Sequence, residues 1–179
     1  MARALVIIDI QRDYFPGGAF PLVEPEAAAA NASVILEQFR DSGEAIVHVQ
    51  HVWDAPDATF MRPGTDGVEI HEAVAPESGE TVIQKAEPNS FVGTSLEREL
   101  RGHGVEDVVF TGMMSSMCVD ATVRAAVDLG FNATVVHDAC AAPDLEFAGD
   151  AIPGKTVHGA FMAALGSTYA TLVAADDLP

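Results

Sequence analysis

The chain has 179 residues, a length that suits one domain, and its apolar content of 49% is enough to build one sizeable core. Its 27 acidic and 9 basic side chains leave a formal charge of −18, which argues against nucleic acid and against anionic membranes, since both need a concentrated basic surface. Two cysteines are too few for a disulfide framework, and no Cys/His grouping has zinc-site spacing, so both are expected to be free thiols in a cytoplasmic protein.

The first apolar run, ALVII over residues 4–8, has strand length and stops at Asp9, so it fits neither a signal peptide nor a spanning helix. Ala28, Ala32, Ile35 and Phe39 then follow helical spacing, and Gly43 is placed to end that helix. AIVHV (45–49) reads as a second strand and TVIQ (81–84) as a third, with the irregular stretch 52–67 between them. Thr94 and Glu97 have capping-box spacing before a short helix that puts Leu96 and Leu100 on one face. DVVFT (107–111) is a fourth strand, and GMMSSMCVDA (112–121) leads from it into a helix. The apolar stripe of that helix, Val119, Val123 and Ala126, opposes Asp120, Arg124 and Asp128, and Gly130 stands at its end. ATVVH (133–137), a helix over roughly 155–165 burying Val157, Phe161 and Leu165, and ATLVA (170–174) complete the pattern.

Six two-sidedly apolar strands alternating with about four helices imply a single domain over residues 1–179. The expected fold is a Rossmann-like three-layer α/β/α arrangement on a six-stranded, mostly parallel sheet. In such sheets ligands bind outside the carboxyl ends of the strands, which singles out Asp9, His51 to Trp53, Lys85, and Met113 to Cys118. Each has an ordinary alternative: a capping Asp, a solvated Lys, a core Cys. Together they make a plausible reaction centre. Cys118 would lie in the first turn of a helix, where free N–H groups favour a thiolate, and the N–H groups of the MMSSM turn can receive an oxyanion. A neighbouring carboxylate can take the thiol proton, and Lys85, one of only two lysines, can support both charges.

Four segments then resemble the isochorismatase-like cysteine hydrolases, a family that includes nicotinamidases and N-carbamoylsarcosine amidohydrolases. They are ALVIIDIQRDYF with Asp9, VIQKAEPNSFVGTSL with Lys85, VVFTGMMSSMCVDATVRAAVDLGF with Cys118, and VVHDACAA. The resemblance implies an Asp9–Lys85–Cys118 triad, a cis Met113–Met114 peptide, and an oxyanion hole formed by the N–H groups of Met114 and Cys118. It also implies a homo-oligomer acting on a small molecule. True isochorismatases resemble this fold but lack the cysteine, so Cys118 points to hydrolysis of a C–N bond in an amide, ureide or lactam, including lactams of the streptothricin type. A metal-free nicotinamidase-type enzyme and a hydrolase of another small metabolite are the alternatives within the family. An inactive scaffold homologue is the alternative outside enzymology. A nucleotide-binding flavodoxin-like module is disfavoured, because no glycine-rich loop follows the first strand.

Metal-dependent nicotinamidases carry an Asp-x-His pair after the second strand, where this chain has His51 and Trp53; no metal and no cofactor are expected. The substrate pocket is expected to draw on Gln11, Phe15, Trp53, Phe60, Arg62 and Phe91, with Arg62 as a partner for a substrate carboxylate and His51 and His71 nearby. Cys140 is expected to be a structural thiol, Asp138 to orient the strand-end loops, and His158 to have no chemical role.

Overall fold

A computed structural model describes residues 2–179. The main elements are β1 (Ala2–Ile8), α1 (Pro25–Ser42), β2 (Ala45–His51), β3 (Thr81–Lys85), α2 (Leu96–Gly102), β4 (Val105–Met113), α3 (Asp120–Asp128), β5 (Asn132–Ala141), β6 (Leu145–Phe147), β7 (Asp150–Ile152), α4 (Gly154–Thr168) and β8 (Ala170–Val173). Six strands form one parallel sheet in the order β3-β2-β1-β4-β5-β8, and β6 and β7 pair as a separate antiparallel hairpin.

The two-residue period of the central strand assigns the layers. Leu5 and Ile7 meet Ile35, Leu36 and Phe39 of α1, while Ala4, Val6 and Ile8 meet residues of α2, α3 and α4 on the other face. Ile35, Leu36 and Phe39 are fully buried, each contributing roughly 1.5–3 kcal/mol of transfer free energy. Pro25 begins α1, and Gly43 ends it in the left-handed conformation, its N–H returning to Arg40 and Phe39.

Several local expectations are corrected. Thr94 accepts the Leu96 N–H, but Glu97 pairs with Arg101, so no capping box closes. Along α4, Val157 and Leu165 are buried as the spacing requires, yet Met162 takes the inward position and Phe161 is only half-buried. Asp138 and Cys140 lie inside β5 rather than after it. The register shifts there, with Phe110 opposite Val135 but Gly112 opposite Cys140, and this bulge carries the polar His137 and Asp138 that look like a strand end.

Strand order reverses between β1 and β4, the switch point where parallel sheets leave a crevice. The strands approach closely at that point. Gly112 has φ +139, and a Cβ there would lie 2.1 Å from the carbonyl oxygen of Ile8. Only glycine fits.

Candidate active site

Asp9 follows β1 directly, its N–H still bonded to the Val49 carbonyl at 3.0 Å while its own φ of 51 turns the chain into the left-handed region. The residue is completely buried. Lys85, the last residue of β3, is separated from β1 by the intervening β2: its Nζ stands 2.7 Å from Asp9 Oδ2, and both side chains are excluded from solvent. At that distance the ammonium and the carboxylate make a charge-assisted contact, and the Cys118 thiol is a second polar neighbour of Asp9. Nζ also stands 2.9 Å from His51 Nδ1 and 3.0 and 3.3 Å from the carbonyls of Glu87 and Pro88.

Cys118 comes from the other side of the switch point. The Met113–Met114 peptide is cis, and Ser115–Val119 winds as a π-turn, with the Val119 N–H reaching back to the Met114 carbonyl at 3.2 Å. Ser115 is tied outward by a 2.8 Å hydrogen bond between its Oγ and His158 Nδ1, which gives His158 a structural contact that its place in the sequence did not disclose. Donor atoms of Asp9, His51 and Cys118 all lie within 4.8 Å of one another.

The proton inventory differs from the thiolate expectation. Burial pushes the Cys118 thiol well up, and the adjacent Asp9 charge adds to it; a π-turn buried beside a carboxylate outweighs the helix-terminus effect. Burial likewise raises the Asp9 carboxyl, against the pull of Lys85. The resting proton therefore belongs on sulfur, next to the Asp9 carboxylate. His51 is brought down to about 4, by burial first and then by the Lys85 charge, so it is a neutral imidazole near pH 7.

A Cys, a His and an Asp could in principle hold a soft divalent metal. Here Lys85 Nζ stands against both Asp9 Oδ2 and His51 Nδ1, which are 3.9 Å apart. An ammonium thus supplies the positive charge at that position.

The cavity over Cys118 encloses about 310 Å³ and is lined by Tyr14, His51, Trp53, Phe60, Met114 and Met117, with Ala86 and Pro88. Trp53 and Phe60 are walls, as the sequence suggests, and their rings are 5.4 Å apart. The other pocket expectations are corrected. Gln11 is a buried strut whose amide bonds the backbone of His51 and the Val68 carbonyl. Phe15, stacked on His71 at 3.7 Å, and Arg62 line a neighbouring groove of about 750 Å³ that shares only Phe60 with the Cys118 cavity. That groove is larger, but Cys118 lines only the smaller cavity. Phe91 does not line the cavity; it is half-buried and stacks on Phe131, with ring centroids 6.2 Å apart.

Tyr14 was not singled out from the sequence, and Met117 only for the backbone of its turn, because the short turn Arg12–Tyr14 and the π-turn rotate side chains out of simple periodicity. His51 had a readable signal: parallel register sets it directly opposite Lys85. The irregular segment is also pinned. Both Asp13 oxygens accept backbone N–H groups, from Ala19 at 3.0 Å and Met61 at 2.6 Å, and Met61 in turn accepts from the Trp53 N–H at 2.9 Å.

Comparison with known proteins agrees with this fold. The isochorismatase domain profile matches residues 3–160. The chain belongs to the isochorismatase family. The uncharacterized isochorismatase family protein YddQ of Bacillus subtilis is 51% identical over 172 residues, covering 96% of each chain. A crystal structure from Oleispira antarctica, described as an isochorismatase hydrolase, superposes with a TM-score of 0.94 at 45% identity and covers 98% of this chain and 95% of its own. Maleamate amidohydrolase of Pseudomonas putida is 35% identical over 150 residues, which cover 75% of this chain and 70% of that enzyme. This isochorismatase-family chain is a hydrolase with amidohydrolase relatives, and no helix in it is long and apolar enough to cross a membrane.

Proposed function

We propose that this isochorismatase-family chain is a cysteine amidohydrolase that opens a C–N bond of a small cytoplasmic molecule, with Asp9, Lys85 and Cys118 as its reaction centre. The observation that carries this reading is a fully buried carboxylate, 2.7 Å from an equally buried ammonium and within reach of a protonated thiol.

Asp9 takes the proton of Cys118 as sulfur attacks the carbonyl carbon, so the thiolate need not accumulate beforehand. The negative charge passes to the carbonyl oxygen, which the N–H groups of Met114 and Cys118 receive. Collapse of the tetrahedral intermediate breaks the C–N bond, and the amine leaves with the proton held by Asp9. A thioester remains on Cys118. Water then gives a proton to Asp9 and attacks the thioester, the acid departs, and the proton returns to sulfur. Before each proton transfer, Lys85 favours the ionised form of Asp9 in a site whose burial works against it.

Purified wild type and Cys118→Ala are compared on a panel of amides, ureides and lactams, with released amine as the signal. Turnover by wild type alone, with circular dichroism unchanged, supports the reading; equal turnover by both proteins ends it.

A further inference from the structure

The cavity over Cys118 and the groove beyond Phe60 differ in charge. Among the described residues no lysine or arginine lines the Cys118 cavity. Lys85 lies behind it with no solvent-exposed side-chain surface, committed to Asp9, His51 and two carbonyls. Arg12 and Arg62 face the other groove, and Arg12 is paired there with Asp66 and Glu72. His51 carries no charge near neutral pH, and burial keeps Tyr14 a phenol. An anion entering this cavity would be desolvated against aromatic walls and a buried carboxylate, in a chain of net charge −18. No cationic side chain in the lining would compensate it.

The same contacts fix one polar feature of the cavity. An ammonium can only donate, so Lys85 Nζ at 2.9 Å makes Nδ1 of the neutral His51 ring an acceptor. The ring proton then resides on Nε2, and His51 is the lining residue at the lip of β2 beside Cys118.

Building on the cysteine-hydrolase reading above, we propose that the Cys118 cavity selects uncharged amides, ureides or lactams with a hydrogen-bond acceptor beside the scissile carbonyl, and that His51 Nε2–H receives that acceptor. Selection by charge separates this chain from its relative that acts on maleamate, whose substrate carries a carboxylate. It also replaces the expectation that Arg62 pairs with a substrate carboxylate, since Arg62 lies in the other groove.

A matched pair of small alkylating probes tests this directly at the thiol, whatever the substrate. Iodoacetamide and iodoacetate deliver the same carbon to the thiol and displace the same iodide, but one is neutral and the other anionic. Rates at Cys118, read by peptide mass spectrometry and normalised to a free thiol in solution, should favour iodoacetamide by at least about tenfold, or about 1.4 kcal/mol. His51→Leu should lower the iodoacetamide rate severalfold. His51→Gln, which can accept from Lys85 and donate into the cavity, should restore it. Equal normalised rates, or a preference for iodoacetate, would overturn the charge selection. An iodoacetamide rate unchanged in His51→Leu would overturn the role of His51. If Cys118 reacts with neither probe faster than Cys140 does, the cysteine-hydrolase reading itself falls and takes this proposal with it.

Discussion

Replacing Lys85 by Met keeps the aliphatic stem and removes the charge. With Nζ 2.7 Å from Asp9 Oδ2, the Coulomb attraction at an effective dielectric of about 20 is about 6 kcal/mol, and half of it corresponds to about 100-fold in the balance between ionised and protonated carboxyl. Burial already raises that carboxyl and Lys85 is its main opposing influence, so removing the charge favours the protonated acid. The variant should therefore have far less of the ionised, active Asp9 at pH 7. The assay is kcat/KM against pH for any amide that wild type hydrolyses. In wild type the acid limb should lie above the ordinary carboxylate value; in Lys85→Met it should move at least about two units further to alkaline, and the rate at pH 7 should fall by about 100-fold or more. An acid limb at the same position in both proteins would refute the claim that Lys85 holds Asp9 ionised.

Gly112→Ala should destabilise the fold by about 3 kcal/mol or more, because the added Cβ meets the Ile8 carbonyl at 2.1 Å and φ is +139; a chemical-denaturation midpoint near that of wild type would contradict the close strand approach. Acid should weaken the fold in two stages. His48, His51 and His158 are held below their ordinary value of 6.5, chiefly by burial, with His51 at about 4. The unfolded chain therefore takes up these protons first, and stability declines as pH falls from about 6.5 toward 4. Glu80, brought to about 2 mainly by its hydrogen bonds from Arg40, contributes fully above about 4.5 and loses that contribution as pH falls toward 2. A thermal midpoint that stays flat across both windows would contradict these assignments.

The layers and the strand ends were legible because they rest on periods of two and 3.6 and on the rule that ligands gather at carboxyl ends. Asp9, Lys85 and Cys118 each follow an apolar strand, so their convergence needed only the parallel sheet. What stayed hidden depends on departures from period. The bulge in β5 moved Asp138 and Cys140 into the strand, and the π-turn changed the electrostatic setting of Cys118 from a helix terminus to a buried wall. Gln11 and Arg62 carry the polar chemistry expected of a pocket, but tertiary contacts decide where such side chains point. Gln11 was drawn into backbone hydrogen bonds, and Arg62 was carried past the pinned Met61 into the neighbouring groove. Phe91 reads from sequence as a wall beside Lys85, yet it leaves the crevice for the core around Phe131.

The central claim is that Cys118 becomes acylated and that Asp9 moves the proton. Mass spectrometry of the protein quenched during turnover of an amide tests it most directly. The account predicts an added mass equal to that of the substrate less the departing amine on the peptide bearing Cys118, and none on the peptide bearing Cys140, whose thiol is buried and pushed up to about 12. An unmodified Cys118 under conditions of rapid single turnover, together with hydrolysis at the wild-type rate by Cys118→Ala, would contradict it.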